Sequence, residues 1–480
     1  MKKIFILAFG LVSLVSNAQK TIVEENFEND NVPLGYNFSP KSNKLVIQKG
    51  KHVGASTNRS IKSLIQYDNL SDKKILLDNA EVMNPQFSDY GNFFSVMDFA
   101  AMKWTNKIKF FLNDKQSNFV EYDKASKYFL TNEKLFTLID KKGDAPKKLD
   151  EENVDLQIFD AFTNKESNLK ITLPNVIRLS SENLLKQVVG PRSVMSKKFG
   201  LGYTIQTEEN NTFSIVSKSI SNDFKSMSLF RTFYDLTGKN FKDIEYKISL
   251  DNNNFLIYNN CGYEMAQGAI FDFANDLSVN NFKVDNKTGD IYIYGLFASK
   301  VKDVKDCIKN SPKGYYVFKF DINGKFIWSS FNNVNNKNFN SDQYLSYLTS
   351  DLKICNNKLL FISGPKMSNK EFFVFTQIDN STGKELNSNY IEYKEDKVYT
   401  MMTGTRDFIL SFFTTKDLKN KIFDDYGLVL YNINSKIKSY VDSINSKNKI
   451  YFHTQISDLG IWLIESDNET YYKVTYFNHE

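Results

Sequence analysis

Residues Tyr315–Ser330 read YYVFKFDINGKFIWSS. Apolar and polar residues alternate up to Phe320, the polar stretch Asp321-Ile322-Asn323-Gly324-Lys325 follows, and the apolar pattern returns to Trp328. Alternation with period two places every second side chain on one face of a strand. An Asp at the head of the turn can accept from its own backbone two residues on. A Gly near its end takes the left-handed conformation that reverses the chain. The stretch reads as a hairpin whose returning strand is kept wet by Lys325.

The pattern recurs as YDNLSDKKI from Tyr67, FLNDKQSNF from Phe111, FDAFTNKES from Phe159 and FYDLTGKNF from Phe233. It continues as FDFANDLSV from Phe271, FDINGKFIW from Phe320, IDNSTGKEL from Ile378 and YNINSKIKS from Tyr431, the copies at Phe111 and Phe271 being weaker. From first start to last the mean period is about 52 residues, in the range of propeller blades. Short strand-like runs such as Lys44–Gln48, Thr212–Lys218, Lys358–Gly364 and Gly427–Asn432 fill the intervals. Helical spacing stands out only near Ile177–Val189, with Ser180 or Ser181 as cap.

The fold expected is all-β: a single β-propeller of about seven or eight four-stranded blades, with one short helix in a loop. The last unit has three strands, Lys449–Gln455, Gly460–Glu465 and Tyr471–Phe477, and Thr21–Phe27 is the segment expected to complete it and close the ring. Closure removes the exposed edges of an open row of sheets. The domain expected spans residues 19–480.

The run Asp321–Trp328 resembles the repeat of quinoprotein-like and related bacterial β-propellers, in which a D-x-x-G-K turn precedes an apolar residue and Trp. Thr237-Gly238-Lys239 and Thr382-Gly383-Lys384 keep the core of that turn. The resemblance implies the fold and no particular activity. Quinone-dependent members use a calcium site and a vicinal Cys pair; Cys261, Cys307 and Cys355 are not adjacent, so no cofactor is expected.

Residues 1–18 carry a basic start, an apolar run from Ile4 to Val15 and small residues before a cut after Ala18, the pattern of a secretory signal peptide. The absence of a Cys at the cut argues against a lipid anchor. Export to the periplasm or the exterior is expected. The leader and the Asn-, Lys- and Phe-rich chain resemble exported proteins of A/T-rich Gram-negative bacteria. No later segment is long and apolar enough for a transmembrane helix. A formal charge of +5 on 480 residues, with no basic stripe, makes nucleic acid a poor partner.

No catalytic signature and no metal site emerge. His52, His453 and His479 show no metal-ligand spacing. Ser56 lacks a nucleophile elbow. Asp285–Asp290 places Lys287 and Thr288 among its carboxylates and reads as a hairpin turn rather than a calcium loop. Asp424-Asp425 and Glu151-Glu152 read as solvated loop charges. Trp104, Trp328 and Trp462 could stack sugars; for Trp328 and Trp462, in apolar strands, packing is the stronger reading.

With strands A to D in each unit, A–B and C–D turns share one face and B–C and D–A connections the other. Length variation falls on the second set: Lys51–Ser60, Lys141–Asn153, Cys261–Gln267, Ala298–Lys313 and Thr415–Asp424 as B–C connections, Pro174–Lys197 and Asn332–Leu348 as D–A. Long loops on a rigid scaffold are where binding resides. This placement makes a Cys261–Cys307 disulfide the expected pairing, with Cys355 a buried thiol. The function expected is non-enzymatic binding or scaffolding of a protein or glycan by a monomer. The alternatives are a polysaccharide-acting hydrolase or lyase and an outer-membrane β-barrel.

Overall fold

The computed structural model describes residues 19–27, 31–52, 59–100, 103–113, 115–121, 127–130, 136–140, 153–160, 162–163, 165–172, 203–221, 223, 225–251, 254–256, 280–299, 312–335, 348–355, 357–365, 371–393, 397–401, 409–414, 418, 420–467 and 470–479. The strands form antiparallel meanders that follow the chain. One unit is Val32–Ser39, Lys44–His52, Arg59–Tyr67 and Lys73–Leu77. The next begins with Val82–Phe87, Phe93–Ala100 and Lys103–Leu112. It is joined to the first by the single pair Ile61 and Val82. Further units are Lys127–Leu130 to Lys165–Thr172, Tyr203–Thr207 to Asn240–Ser249, and Leu348–Cys355 to Glu385–Tyr393. Between the last two, Ile291–Ala298, Pro312–Phe320 and Phe326–Asn333 form strands B to D of another unit.

Apolar runs such as Leu45-Val46-Ile47 are explained by burial on both sides of each sheet. Leu45 and Ile47 pack with Trp462, Ile464, Tyr472 and Val474 of the C-terminal strands. Val46, one residue between them, packs the other way with Val82, Phe94 and Val96. The succession continues around the chain: Phe110 meets Phe159, Ile158 meets Phe213 and Ile215, and Tyr246 meets Ile291 and Phe318. Tyr294 and Val317 then meet Phe361 and Val374, and Leu360 and Ile362 share a cluster with Ile461 and Leu463. The last unit packs on the first, so the stack is a ring and the fold a β-propeller. Sheets stacked face to face exclude the barrel alternative, whose strands would alternate between lipid and lumen.

Closure is as the sequence led one to expect. Gln19–Asn26 pairs antiparallel with Tyr471–Asn478, from Gln19 opposite Phe477 to Asn26 opposite Tyr471. The N-terminal segment thus supplies the outermost strand of the C-terminal unit.

The Asp-headed turns also form. Asp68 Oδ1 accepts from the amides of Leu70 and Asp72, Asp235 Oδ1 from Thr237 and Lys239, and Asp321 Oδ1 from Asn323 and Lys325, all at 2.8–3.0 Å. Asp285 likewise accepts from Lys287 at 2.8 Å, so Asp285–Asp290 is a hairpin turn. Gly238, Gly324 and Gly383 close their turns at φ of 84°, 86° and 72°, where a side chain is strained.

Gly383 carries a second demand: a Cβ there would come within 2.4 Å of the Trp328 ring on the neighbouring unit, whereas at Gly238 the nearest atom would be 3.6 Å away. Gly238→Ala is therefore expected to cost about 1 kcal/mol, from backbone strain alone. Gly383→Ala should cost about 2–4 kcal/mol, strain plus displacement of Trp328. Urea midpoints of the two variants give the comparison; equal shifts would refute the packing account.

Several expectations need correction. Gly427–Asn432 is not a strand, nor is Tyr431 the start of a hairpin: residues 425–443 form two helices, α1 (Asp425–Ile433) and α2 (Ser435–Ser443). Asp424 caps α1 by accepting from the Gly427 amide, and Asn434 caps α2 by accepting from Lys436 and Ile437. Burial of Leu428, Val429, Ile437 and Val441 beside Leu360 and Ile461 outweighs the strand preference of GLVLYN. Asp424 is consequently buried, not a solvated loop charge.

Cys261 is not in a B–C connection. Phe255–Leu256 and Asn280–Val284 both pair with Ile291–Ala298, so residues 257–279 interrupt an A strand. Cys261, Cys307, the 1–18 leader, the 177–189 segment and the turn copy from Phe271 lie outside the described residues.

Candidate functional site

A strands of successive units lie beside one another, which puts them innermost and their A–B turns around the axis. At that end the ring is bridged across its middle. Lys41, in the first A–B turn, pairs at 3.2 Å with Glu209 in the A–B turn after Tyr203–Thr207, although two units separate them. The Lys41 amide also donates to the Asp89 carbonyl at 3.1 Å, bringing in the turn between. Burial, opposed by Lys41 and assisted by Glu208, raises the Asp89 carboxyl. Asn43 ties the same turn to the last unit, its Oδ1 accepting from Ser457 Oγ at 2.9 Å and Trp462 Nε1 at 3.0 Å. The tight-turn end of the axis is thereby narrowed by side chains from opposite sides of the ring.

The axial wall between the 280–333 and 348–393 units carries a charged cluster. In Leu348–Cys355 the period-two rule sends Leu352 and Ile354 into one apolar cluster and leaves Asp351, Lys353 and Cys355 on the other side. Asp351 accepts from Lys353 at 3.3 Å, from the Tyr294 hydroxyl at 3.4 Å, and from the hydroxyl of Tyr426 on α1. Burial would raise this carboxyl, but Lys353, Lys283 and the Tyr426 bond outweigh it and hold Asp351 down to about 2. Lys353 also lies 4.9 Å from the Tyr426 ring centre. Lys283, from Asn280–Val284, faces the same groups. The like charge of Lys353 and burial lower its pKa against the opposing pull of Asp351 and Asp458.

The last unit fills its own axial side differently. Lys421–Phe423 pairs in parallel with Ile450–Ile456 on the edge that faces the axis, and Ile409–Thr414 and Lys397–Met401 extend the sheet further. The 424–443 helices follow directly. Asp424 joins them to the A strand, accepting from Thr454 N at 2.6 Å and Thr454 Oγ1 at 2.7 Å. Burial pushes its carboxyl up to about 6 despite those bonds.

The residues weighed from sequence fall mainly into packing roles. Trp328 and Trp462 are buried between units, their Nε1 atoms donating to the Asn380 carbonyl and to Asn43 at 3.0 Å. Neither can stack a sugar. His453 lies against Tyr36, ring centres 5.3 Å apart. The His479 ring contacts the Ser457 carbonyl, and burial lowers its pKa. Cys355 is half-buried, carries no disulfide, and burial pushes its thiol up to about 12. Among the described residues no group of three or more His, Cys, Asp or Glu side chains is placed to hold a metal ion. Lys283, Asp351 and Lys353 went unnoticed in the sequence: Lys283 belongs to one repeat and Asp351 and Lys353 to the next, and only their position on A strands could have marked them.

No protein-family model matches the chain, and no curated protein matches it. Among solved structures it is similar to the β-propeller domain of the trilobed protease from Pyrococcus furiosus, at 11% identity and a TM-score of 0.27, covering 76% of this chain and 98% of that one. It is similar to the Nup133 β-propeller domain of Vanderwaltozyma polyspora at 10% identity and 0.31, covering 86% and 89%. A chain of the S. cerevisiae core factor overlaps at 7% identity and 0.35; 95% of this chain spans 60% of that one. Overlaps this loose carry no weight for activity, and the ring rests on the pairing and packing described above.

Proposed function

We propose that the chain is an exported binding or scaffolding propeller that recognises a protein or glycan through the face bearing its long B–C and D–A connections. The observation that supports this reading is the asymmetry between the two faces. On one, the described A–B and C–D connections are short, Asp235 and Asp321 head C–D turns, and the Lys41–Glu209 pair bridges the axis. On the other, consecutive strands are separated by residues 141–152, 173–202, 299–311 and 334–347. Rigid strands beneath long connections are the arrangement in which loops vary and bind. Export rests on the leader pattern before Gln19, the first residue of the closing strand.

The test is a panel of envelope proteins, glycans and chromogenic polysaccharide substrates against residues 19–480. Binding without turnover is expected, reduced at least tenfold when residues 336–347 are replaced by a short Gly-Ser linker. Lys325→Glu, on the tight-turn face, should leave it unchanged. Catalytic turnover of any polysaccharide would overturn the non-enzymatic reading in favour of a hydrolase or lyase.

A further inference from the structure

Exposed apolar side chains gather at the tight-turn end of one arc of the ring. Leu70, Ile322 and Leu459 lie in C–D or A–B turns, and Phe241, Ile327 and Leu386 are each the second residue of a D strand; all six are 45–67% exposed. They belong to five consecutive units, from 203–249 through the C-terminal unit to 32–77. Three of them occupy one structural position. Asn240 and Lys242 pair with the adjacent residues Tyr234 and Phe233, so Phe241 between them is the extra residue of a β-bulge. Ile327 and Leu386 are the extra residues of the same bulge in the next two units. Bulges and charged side chains shield an outermost strand from stray pairing; here the bulge is kept and its extra residue is apolar. Each C–D turn rests on the D strand of the unit before it, which joins these side chains into a row. Lys242 donates to the Ile322 carbonyl at 3.3 Å, Trp328 Nε1 to that of Asn380 at 3.0 Å, and Lys20 to that of Leu70 at 2.6 Å.

Charge at this end is sorted by depth. Asp68, Asp235, Asp321 and Asp379 are half-buried and spend carboxylate oxygens on the amides of their own turns. Glu385 accepts from the Tyr315 hydroxyl at 2.8 Å and Asp243 from the Asn240 side chain at 3.1 Å. Lys239, Lys325 and Lys384 are exposed, as is Lys73, 3.7 Å from Glu25 and beside the exposed Asp72. We propose that this arc of the tight-turn face docks on an anionic bilayer surface, its apolar side chains entering the acyl boundary and its lysines meeting headgroup phosphates. Such docking grows with the apolar area inserted and with attraction to anionic lipid, and a lysine stem lies along the boundary while its ammonium stays wet. A row spread over five units calls for a flat partner. Two copies stacked on this face would set lysine against lysine, which disfavours self-association there. The inference goes beyond the loop-face reading and leaves the long connections facing water.

The experiment is flotation of residues 19–480 with vesicles of phosphatidylethanolamine and phosphatidylglycerol, and with vesicles of phosphatidylcholine alone. Binding to the anionic vesicles is expected, about tenfold stronger than to phosphatidylcholine and weaker as salt is raised. Phe241→Ser, Ile327→Ser and Leu386→Ser combined should lower it about tenfold or more. The urea midpoint of that variant should stay at the wild-type value, since the bulge residues are exposed. Lys239→Glu, Lys325→Glu and Lys384→Glu combined should lower binding as much through charge alone. Replacement of residues 336–347 should leave vesicle binding intact, so failure here and failure of the loop-face reading are told apart. No binding to anionic vesicles, or binding indifferent to both combined variants, would overturn the proposal. A dimer that the serine variant dissociates would also overturn it and assign the row to a second copy.

Discussion

A chain lacking residues 19–26 is expected to lose about 5 kcal/mol of stability and to unfold from the seam between its first and last units. Two losses make up that figure. Ile22, buried beside Tyr472 and Ile65, contributes about 2 kcal/mol of apolar burial. Lys49 is buried in the first unit and pairs with Glu25 of the N-terminal strand; its ring partner is Tyr472, 5.0 Å from the amine. Removing one partner of such a pair strands the other, at about 3 kcal/mol here because Glu25 is partly open to water. Denaturant titration of the truncated chain, with hydrogen exchange in Tyr471–Asn478, measures both. Unchanged stability would mean that the strand decorates the ring without closing it.

The subtler variant Glu25→Gln carries a pH signature. Burial pushes the Glu25 carboxyl up, but bonds from Lys49 and the Tyr472 hydroxyl outweigh it and hold the pKa below the ordinary 4.5. A depressed folded-state pKa gives stability that is present above the unfolded value and is lost as pH falls through the folded one. The advantage of wild type over Glu25→Gln should therefore be full at pH 7 and shrink as the pH falls below 4.5.

Asp424→Ala is expected to cost about 3 kcal/mol and to loosen the 424–443 helices from the ring. Its carboxylate accepts from Gly427 N, Thr454 N and Thr454 Oγ1, so alanine removes a helix cap and orphans buried donors at once. Here the pH dependence runs the other way. With the folded-state pKa raised to about 6 from 3.8, the native state holds the proton more tightly than the unfolded chain. That contribution is complete below about pH 4 and is lost as pH rises through 6. Asp424→Asn, which cannot ionise, should therefore gain on wild type between pH 4 and pH 7, by about 3 kcal/mol at most. A flat difference across that range would show that the three donors stabilise the ionised form fully.

The turns were legible because they are local. Asp321, Asn323 and Gly324 settle the chain reversal among themselves, and the same chemistry repeats at Asp68, Asp235 and Asp379. Local pattern misled at Gly427–Asn432, where β-branched and aromatic residues suggested a strand. There the decisive residues are the caps Asp424 and Asn434 and the apolar neighbours Leu360 and Ile461, remote in sequence from the helices they stabilise. The A strand interrupted by residues 257–279 was misassigned for a related reason: Phe255–Leu256 reveals its place only by pairing with Phe297 and Ala298.

By itself the sequence determined an all-β chain of repeated hairpins and nominated Thr21–Phe27 as the strand that completes the last unit, because period-two alternation and Asp–Gly turns are properties of neighbouring residues. Tertiary structure decided which units touch: that Leu45 meets Trp462, that Lys41 reaches Glu209 across the axis, and that Tyr426 reaches Asp351. Those contacts arise from ring closure, which brings together residues hundreds of positions apart and desolvates charges that read as ordinary surface lysines in the chain.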